Sequence, residues 1–379
     1  VEGSEFILLT DTPELDSRNY SEKVLPMPFG KSNYGGTHTS ALARMVEKYN
    51  RYIGWRWGGK LSVRLRSLPE SMSTYTRTIL SFCSFVIHAT LACNLLRQKA
   101  YMLFGPKNRS TIQAFCEADA IVFVPGGYLL TPHARHLHWF RHIASLLLGS
   151  LLKKPMILYA CSLGPFVGRH NQVLARYAIN KAHVIVLREP HSRKYLAEIG
   201  VTKPVIYDCA DVAFLLKQTD SRRATALFDA HIGSGSRLKV GFSVRPYDFP
   251  GESNPEQKKE NFVKVLSQLA DYVVDRYRAQ AVFMPQGLDA KYNDLSISRE
   301  IVGLMRQSHN VQVIGEDYSP EELKTLYGFM DIFVGVRMHA NIFALGAKVP
   351  VLAVAYEPKT LGIMESLGLH EFVSDIRTL

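Results

Sequence analysis

Residues 331–359 read DIFVGVRMHANIFALGAKVPVLAVAYEPK, and this stretch decides the fold class of the chain. The apolar run at 331–335 predicts a short buried strand, residues 341–346 predict the start of a helix, and residues 349–355 predict the next strand. A strand, a helix and a second strand in this order form the repeating unit of a parallel sheet covered by helices. The stretch therefore indicates an α/β protein.

Basic side chains follow both predicted strands. Arg337 and His339 come just after the first strand, and Lys359 comes just after the second. Because ligands of open α/β sheets bind at the carboxyl ends of the strands, we expect these three side chains to share one binding site. A guanidinium pairs with a carboxylate or a phosphate, an ammonium pairs with a phosphate, and an imidazole can transfer a proton. The spacing therefore predicts a site for a small ligand that carries several negative charges.

The same alternation of strand and helix patterns extends over most of the 379 residues, in two blocks. A polar stretch at 218–238 separates the blocks and predicts a linker that contains a short helix. We therefore expect two Rossmann-like domains that face a cleft, the first at 1–217 and the second at 239–379. In the second block, Ser319 and Glu322 have the spacing of a capping box at a helix start.

Composition and cysteine usage are those of a folded protein from a reducing compartment. Hydrophobic residues make up 47% of the chain and charged residues 21%, as in globular domains. The five cysteines show no CxxC spacing and mostly lie in apolar runs, which predicts reduced core thiols and a cytoplasmic protein. No secretory signal pattern follows Val1. Because the sequence does not begin with Met, we expect that native N-terminal residues or a tag were removed, and whether a targeting segment was lost stays open.

The formal net charge of +11 is concentrated in one segment. Residues 51–109 hold ten Lys or Arg and one acid, together with Trp55 and Trp57. This combination fits either a solvated helical face beside buried aromatic side chains or a surface that binds peripherally to an anionic membrane. Binding to nucleic acid is disfavoured, because no nucleic-acid-binding motif accompanies the charge. Within the segment, the apolar run at 79–96 is interrupted by polar side chains, which predicts a buried or partly interfacial helix rather than a membrane span.

Glycine, serine and arginine at other predicted strand ends are further candidates. Gly126 and Gly127 follow one strand and fit either a close backbone approach to a ligand or a tight turn. Ser162 and Gly164 follow the next strand, where they either line the cleft or turn the chain. Arg188 follows a third strand and fits either an anion site at a helix N-terminus or a surface salt bridge.

A group of histidines has the appearance of a metal site but not its spacing. The four are His133, His136, His138 and His142, of which only the last two are four residues apart. No carboxylate is interspersed and no HExxH motif occurs, so we predict no metal site and expect a histidine-rich helix that faces the cleft or solvent.

Six short motifs occur in a fixed order and together resemble the polysaccharide pyruvyl transferase family. They are PGG at 125–127, SLGPF at 162–166, REPHS at 188–192, DVAF at 211–214, RMHA at 337–340 and YEPK at 356–359. The resemblance spans roughly residues 118–370, whereas the region before residue 110 matches the family poorly apart from NYGG at 33–36.

This resemblance implies a fold like that of the two-domain GT-B glycosyltransferases, with phosphoenolpyruvate as donor substrate and with no cofactor or metal. It also implies that Arg188, His339 and Lys359 are catalytic. The residues expected to bind substrate are Arg337, Met338, Glu357, Gly126, Gly127, Ser162 and Gly164.

Phosphoenolpyruvate carries a carboxylate and a phosphate, which agrees with the anionic ligand predicted from the basic residues. Forming a pyruvate ketal requires protonation of its methylene carbon, attack by one sugar hydroxyl, and displacement of phosphate by a second. A protonated His339 can supply the proton, and Arg337, Arg188 and Lys359 can hold the anions. The expected partners are therefore phosphoenolpyruvate and a glycan or lipid-linked saccharide acceptor.

Two other functions stay open at this point. A nucleotide-sugar glycosyltransferase with the same architecture would use a glutamate to bind the ribose, and Glu357 is a candidate for that role. A catalytically silent protein could instead use residues 51–109 to dock on a membrane or a partner. Binding of phosphoenolpyruvate rather than nucleotide sugars separates these possibilities.

Overall fold

A computed structural model describes residues 7–10, 23–26, 74–104, 106–124, 126–132, 139–233, 237–287, 293–306 and 310–379. Several sequence predictions lie outside these described residues, namely those on the NYGG stretch at 33–36, Trp55, Trp57, Pro125, His133, His136 and His138. In the described part the protein is a mixed α/β structure with parallel sheets, so the predicted fold class is confirmed.

The chain forms two compact units. The first consists of Val1–Leu187 and Ser192–Cys209, and the second consists of Arg188–His191 and Ala210–Leu379. The division differs from the boundary expected at residue 217. Arg188 belongs to the second unit, and its side chain forms a buried ion pair with Asp211 of the same unit.

The elements before residue 210 alternate between strand and helix. They are β1 (Ile7–Thr10), β2 (Lys23–Pro26), α1 (Thr74–Leu96), a 3-10 helix (Arg97–Leu103), α2 (Pro106–Glu117), β3 (Ile121–Phe123), β4 (Leu129–Thr131), α3 (Phe140–Leu151), β5 (Met156–Cys161), β6 (Leu163–Phe166), α4 (Arg169–Ile179), β7 (Val184–Leu187), α5 (Pro190–Ile199) and β8 (Val205–Asp208). Strands β3, β5, β7 and β8 form a parallel sheet in that order, while β4 pairs with β6 and β1 pairs with β2.

Helix α1 has one buried apolar face and one exposed apolar face. The buried face includes Phe82, whose ring lies 5.0 Å from that of Phe140 in α3. The exposed face includes Ile87, Leu91 and Leu95, which repeat every four residues and therefore share one side of the helix. The helix predicted at 79–96 is thus present, and no helix in the described ranges is long and apolar enough to cross a membrane.

The second unit contains one larger sheet. Its elements are a 3-10 helix (Val212–Leu215), α6 (Ser221–His231), β9 (Lys239–Ser243), α7 (Pro255–Tyr277), β10 (Gln280–Phe283), α8 (Asp294–Gly303), β11 (Val311–Val313), α9 (Pro320–Tyr327), β12 (Ile332–Gly335), α10 (Met338–Gly346), β13 (Val351–Ala355), α11 (Pro358–Ser366), a 3-10 helix (His370–Phe372), β14 (Val373–Asp375) and a 3-10 helix (Ile376–Thr378). All six strands are parallel, in the order β11-β10-β9-β12-β13-β14.

The strand order of this sheet reverses in its middle. From β9 the chain winds outward through β10 to β11, then returns to the other side of β9 and winds through β12 to β14. Strands β9 and β12 therefore flank a topological switch point, where the connections leave in opposite directions and open a crevice at the carboxyl ends of the strands.

The segment predicted as a linker, 218–238, is largely helical and packs on the second unit. Asp220 caps helix α6 by accepting hydrogen bonds from the backbone N–H groups of Arg222 and Arg223. Leu227 of this helix is buried in the core beside β10 and β12. The apolar face of α6 thus ties most of this segment to the second unit.

Candidate active site

The carboxyl ends of β9 and β12 lie side by side at the switch point. Ser243 of β9 pairs with Gly335 of β12, so the chain leaves both strands at the same level. The three basic residues predicted to share a site, Arg337, His339 and Lys359, all follow the carboxyl ends of strands at this edge of the sheet. Their position matches the place where open α/β sheets bind ligands.

A small cavity of about 50 Å³ opens at this edge. It is lined by Gln286, Arg337, Met338, His339, Tyr356 and Lys359. Four of these six belong to the predicted site residues, and they come from the first turns of α10 and α11 and from the residue before α10. The tertiary structure therefore brings these four side chains to one cavity.

The guanidinium of Arg337 is held by a buried carboxylate. Its Nε and Nη2 atoms donate to Asp294 at 2.5 and 2.7 Å, and the Asp294 side chain is fully buried. The same carboxylate accepts from the backbone N–H groups of Gln286 and Gly287. Desolvation acts to lower the pKa of Arg337, but the hydrogen bond and charge of Asp294 outweigh it and raise that pKa. Arg337 therefore lines the cavity in a fixed position and keeps its positive charge.

His339 lies on the first turn of α10, and its environment favours the neutral imidazole. The residue keeps a solvent-exposed surface, yet surrounding protein atoms desolvate the ring, which is the largest cause of its lowered pKa. Asp211 opposes this shift, whereas Arg188, Lys359 and Arg337 lower the pKa further by charge repulsion. An anion bound among these cations would reverse part of the shift and favour the protonated ring.

Lys359 and Glu357 form an ion pair beside the cavity. The Nζ atom of Lys359 lies 2.6 Å from Oε2 of Glu357, and both side chains are partly exposed. Such a pair contributes little stability, so the ammonium can exchange the carboxylate for a ligand phosphate at small cost. The predicted substrate-binding residue Glu357 therefore forms its ion pair with the predicted catalytic residue Lys359.

Arg188 is buried rather than exposed at the cavity. Its Nη1 atom donates to Oδ2 of Asp211 at 2.8 Å, and the two side chains are 2% and 1% exposed. The other oxygen of Asp211 caps the following 3-10 helix by accepting from the N–H of Ala213. Because both charges influence the pKa of His339, the buried pair acts on the cavity through its field.

A glycine in α11 allows the segment around Arg188 to approach this helix closely. A Cβ atom at Gly362 would lie 2.8 Å from Oε2 of Glu189 and 2.8 Å from Cδ2 of His191. A larger side chain would therefore push the segment Arg188–His191 away from α11, whose first turn carries Lys359.

The remaining predicted residues, Gly126, Gly127, Ser162 and Gly164, lie in the first unit. The N–H of Ser162 donates to the carbonyl of Gly126 at 3.0 Å, so the loops after β3 and β5 meet. Ser162 is buried, Gly127 is half-buried, and Gly164 has a φ of +81° that disfavours other residues. Within the first unit, the structure thus brings Ser162 next to Gly126.

Sequence reasoning missed three residues around the cavity. Asp294, Gln286 and Arg245 are not among the predicted site residues. Arg245 follows β9 just as Arg337 follows β12, so the rule that basic residues after strands mark the ligand edge could have found it. No local signal marks Asp294, because its partner Arg337 is far away in the chain.

The histidine-rich stretch is described only at His142. Its ring stacks on Tyr128, with centroids 4.9 Å apart. Within the described ranges, no group of three or more His, Cys, Asp or Glu side chains is arranged to hold a metal ion.

A family model for polysaccharide pyruvyl transferase matches residues 34–358. The match covers most of the chain, which therefore belongs to the polysaccharide pyruvyl transferase family, as the ordered motifs predicted. The chain is also 26% identical over 267 residues to the amylovoran biosynthesis protein AmsJ of Erwinia amylovora. That alignment covers 69% of this chain and 62% of AmsJ, so the chain spans less than two thirds of this relative.

The solved structures that match this chain share little sequence with it. Anabaena Alr3699/HepE in complex with UDP-glucose has a TM-score of 0.45 and 13% identity, over 70% of this chain and 67% of that one. The UDP-GlcNAc 2-epimerase of Methanocaldococcus jannaschii has a TM-score of 0.47 and 12% identity, over 96% and 90%. A putative UDP-N-acetylglucosamine 2-epimerase of Listeria monocytogenes has a TM-score of 0.48 and 12% identity, over 97% and 88%.

Proposed function

We propose that this protein transfers the pyruvyl group of phosphoenolpyruvate onto two hydroxyls of one sugar in a polysaccharide or its precursor, with release of phosphate. The observation that carries the proposal is the cavity at the switch point, where Arg337, Lys359 and the His339 imidazole meet. Family membership supports pyruvyl transfer onto a polysaccharide. The donor and the ketal chemistry are our inference from the residues in the cavity.

The charges and dipoles around the cavity suit the donor. Helices α10 and α11 both begin here, and their N-terminal N–H groups and dipoles favour a phosphate. Lys359 adds a mobile point charge, and Arg337 adds a fixed one. Together these groups can neutralise the phosphate dianion and stabilise it as it leaves.

In the proposed reaction His339 is the general acid. Its protonated ring delivers a proton to the methylene carbon of phosphoenolpyruvate, while the first sugar hydroxyl attacks the adjacent carbon and loses its own proton. The first hydroxyl's proton passes to water. The second hydroxyl then attacks the same carbon, the carbon–oxygen bond to phosphate breaks, and the second hydroxyl's proton leaves with the phosphate as hydrogen phosphate. A proton from water finally restores the protonated His339. One methyl group, one ketal and one phosphate result, so atoms and charge balance.

The lowered pKa of His339 is compatible with this role once the donor is present. In the free protein desolvation, together with the charges of Arg188, Lys359 and Arg337, lowers the pKa of the ring and favours its neutral form, although Asp211 opposes the shift. The donor phosphate and carboxylate place negative charge beside it and favour proton uptake. Proton uptake is thus coupled to donor binding.

The test is binding followed by turnover. Thermal shift and calorimetry with phosphoenolpyruvate should show binding, whereas UDP-glucose and UDP-N-acetylglucosamine should not bind. Incubation with phosphoenolpyruvate and a panel of galactosides, mannosides and N-acetylmannosaminides should then give one product with the mass of a pyruvate ketal. Binding of nucleotide sugars without binding of phosphoenolpyruvate would support a glycosyltransferase and refute the proposal.

We further propose that the protein works in the cytoplasm and meets its glycan acceptor at an anionic membrane surface. Ile87, Leu91 and Leu95 on the exposed face of α1 are 53%, 41% and 52% exposed, and the basic side chains of Arg97 and Lys99 follow directly. Apolar side chains beside basic ones suit the headgroup region, where each basic residue contributes about 1 kcal/mol.

Vesicle co-sedimentation tests the membrane contact. Binding should require anionic lipid, weaken with salt, and fall in a Leu91→Gln/Leu95→Gln variant. The matched control is Val173→Gln in α4, another exposed apolar position of the first unit, which should bind like the unaltered protein. Binding that ignores lipid charge would refute this contact.

A further inference from the structure

Gln286 reaches the cavity from the other half of the sheet. It follows β10, whereas the other five residues that line the cavity follow β12 or β13. Strand β9 lies between β10 and β12, so Gln286 comes from one side of the switch point and Arg337 and Lys359 come from the other. The cavity therefore has an uncharged amide on one side and cationic side chains on the other.

The backbone of Gln286 is fixed by the same carboxylate that fixes Arg337. The N–H of Gln286 donates to Oδ2 of Asp294 at 3.1 Å, and the guanidinium of Arg337 donates to both oxygens of that carboxylate. The Asp294 side chain is fully buried. The point at which the Gln286 side chain leaves the backbone is thus set relative to Arg337 before a ligand arrives.

The side-chain amide of Gln286 is available to a ligand. The residue is half-buried and lines the cavity, and its amide makes no hydrogen bond to any part of the chain that the structure describes. A glutamine amide carries an acceptor, Oε1, and two N–H donors on Nε2. It can therefore both accept from one ligand group and donate to another.

The reacting hydroxyls of a sugar need an acceptor that the cations of the cavity do not provide. Arg337, Lys359 and a protonated His339 carry only N–H donors, which suit the anionic groups of the donor substrate. A hydroxyl that attacks through its oxygen must direct its hydrogen to an acceptor. Oε1 of Gln286 is such an acceptor. The phenol of Tyr356 offers one oxygen atom, whereas the amide presents an acceptor and a donor side by side.

We propose that Gln286 binds the acceptor sugar through the two hydroxyls that become the ketal. Its Oε1 atom accepts a hydrogen bond from the hydroxyl that attacks first, and its Nε2 atom donates to the oxygen of the second. The inference rests on the proposed function, which requires two hydroxyls of one sugar at the same carbon of the donor. It makes Gln286 a residue that determines acceptor specificity and selects sugars whose two hydroxyls lie close enough for one amide to contact both.

The experiment measures acceptor binding and donor binding separately in Gln286→Met, which keeps the length of the side chain and removes both hydrogen-bonding groups. Calorimetry gives the affinity for phosphoenolpyruvate. It also gives the affinities for the methyl glycosides of galactose, mannose and N-acetylmannosamine, titrated into protein saturated with inorganic phosphate so that no turnover occurs. The matched control is Gln268→Met, which replaces an exposed glutamine of α7 in the same unit. Circular dichroism and melting temperature establish that each variant is folded.

Gln286→Met should weaken binding of the preferred glycoside about 5- to 100-fold, the range for two lost hydrogen bonds between uncharged groups, and leave phosphoenolpyruvate binding unchanged. In turnover, kcat/KM for the glycoside should fall by a similar factor while KM for phosphoenolpyruvate stays the same. The Gln268→Met control should match the unaltered protein.

A deoxy form of the preferred glycoside adds a second readout. It lacks one of the two hydroxyls found in the ketal, and it should bind the unaltered protein more weakly than the parent glycoside does. Both sugars should bind Gln286→Met equally, because the partner of the missing hydroxyl is already gone. A residue that only shapes the cavity would leave the difference between the two sugars intact.

Unchanged glycoside affinity in a folded Gln286→Met variant would overturn the inference alone, and so would a loss of phosphoenolpyruvate affinity as large as the loss for the glycoside. An unaltered protein that binds phosphoenolpyruvate but neither binds nor converts any of the three glycosides would overturn it as well. If Gln286→Met fails to fold, Gln286→Asn gives the same test, because the shorter side chain withdraws the amide from both hydroxyls. An unaltered protein that does not bind phosphoenolpyruvate would overturn the proposed function, and this inference with it.

Discussion

The fully buried carboxylate of Asp294 accepts two hydrogen bonds from the guanidinium of Arg337. Asp294 also accepts from the N–H groups of Gln286 and Gly287, so one carboxylate joins the end of β10, the start of α8 and the end of β12. The arginine is therefore positioned before any ligand arrives. Such preorganisation is what electrostatic stabilisation of a departing phosphate requires.

Replacing Asp294 with Asn should destabilise the protein by about 3–5 kcal/mol, because it breaks a buried ion pair and leaves the Arg337 charge without its partner. Urea unfolding measures the loss. Asp275→Asn is the matched control, since Asp275 faces Arg306 in an exposed pair at 3.4 Å and should cost under about 1 kcal/mol. If the two variants had the same free energy of unfolding, the buried Asp294–Arg337 pair would contribute no more stability than the exposed Asp275–Arg306 pair.

Replacing His339 with Gln should leave most donor binding and remove most turnover, because glutamine forms hydrogen bonds but delivers no proton. The measurement is kcat and KM for phosphoenolpyruvate. Near-normal kcat with a raised KM would make His339 a binding residue and place the general acid elsewhere.

The same variant should change how stability and binding depend on pH. The pKa of His339 is lowered in the folded protein, so the unfolded chain binds more protons in the window just below the ordinary histidine pKa. Stability should therefore fall as pH falls through that window, and His339→Gln should flatten this fall. Donor binding should be accompanied by proton uptake, which calorimetry in two buffers detects and which the variant should reduce. Identical profiles for both proteins would contradict the assigned pKa.

Replacing Asp211 with Asn should destabilise the second unit by about 3–5 kcal/mol, because Arg188 would keep a buried charge without its partner. It should also lower the pKa of His339 further, since Asp211 is the carboxylate that raises it. Unfolding and the pH profile of turnover measure both effects. The control is Asp208→Asn, whose partner Arg193 is exposed and whose loss should cost under about 1 kcal/mol.

Treatment with EDTA should leave turnover unchanged. In the proposed reaction, Arg337, Lys359 and the N-termini of α10 and α11 neutralise the donor phosphate. Activity assays before and after dialysis against EDTA test this, with added Mg²⁺ and Mn²⁺ as further arms. Activity lost to EDTA and restored by either ion would show that the side chains do not suffice.

Much of the fold could be predicted from local patterns. Strand β7 coincides with the apolar run VIVL at 184–187. The predicted capping box is also present, with Ser319 and Glu322 each accepting from the other's backbone N–H. Such features depend on interactions between residues only a few positions apart, so the local sequence pattern is enough to predict them. The placement of Arg337, His339 and Lys359 after strands was readable for the same reason.

What the sequence by itself determined is therefore the α/β class, the order of most elements and the basic residues that follow the strands. Only the tertiary structure decided that β12 lies beside β9, and with it that Gly335 pairs with Ser243. It also paired Arg337 with Asp294 and buried Arg188 against Asp211. The Arg188–Asp211 pair joins residues 23 positions apart, and the Arg337–Asp294 pair joins residues 43 positions apart. The pairing of β9 with β12 joins strands from opposite halves of the sheet. Such long-range contacts exist only because packing of the whole core selects one strand order.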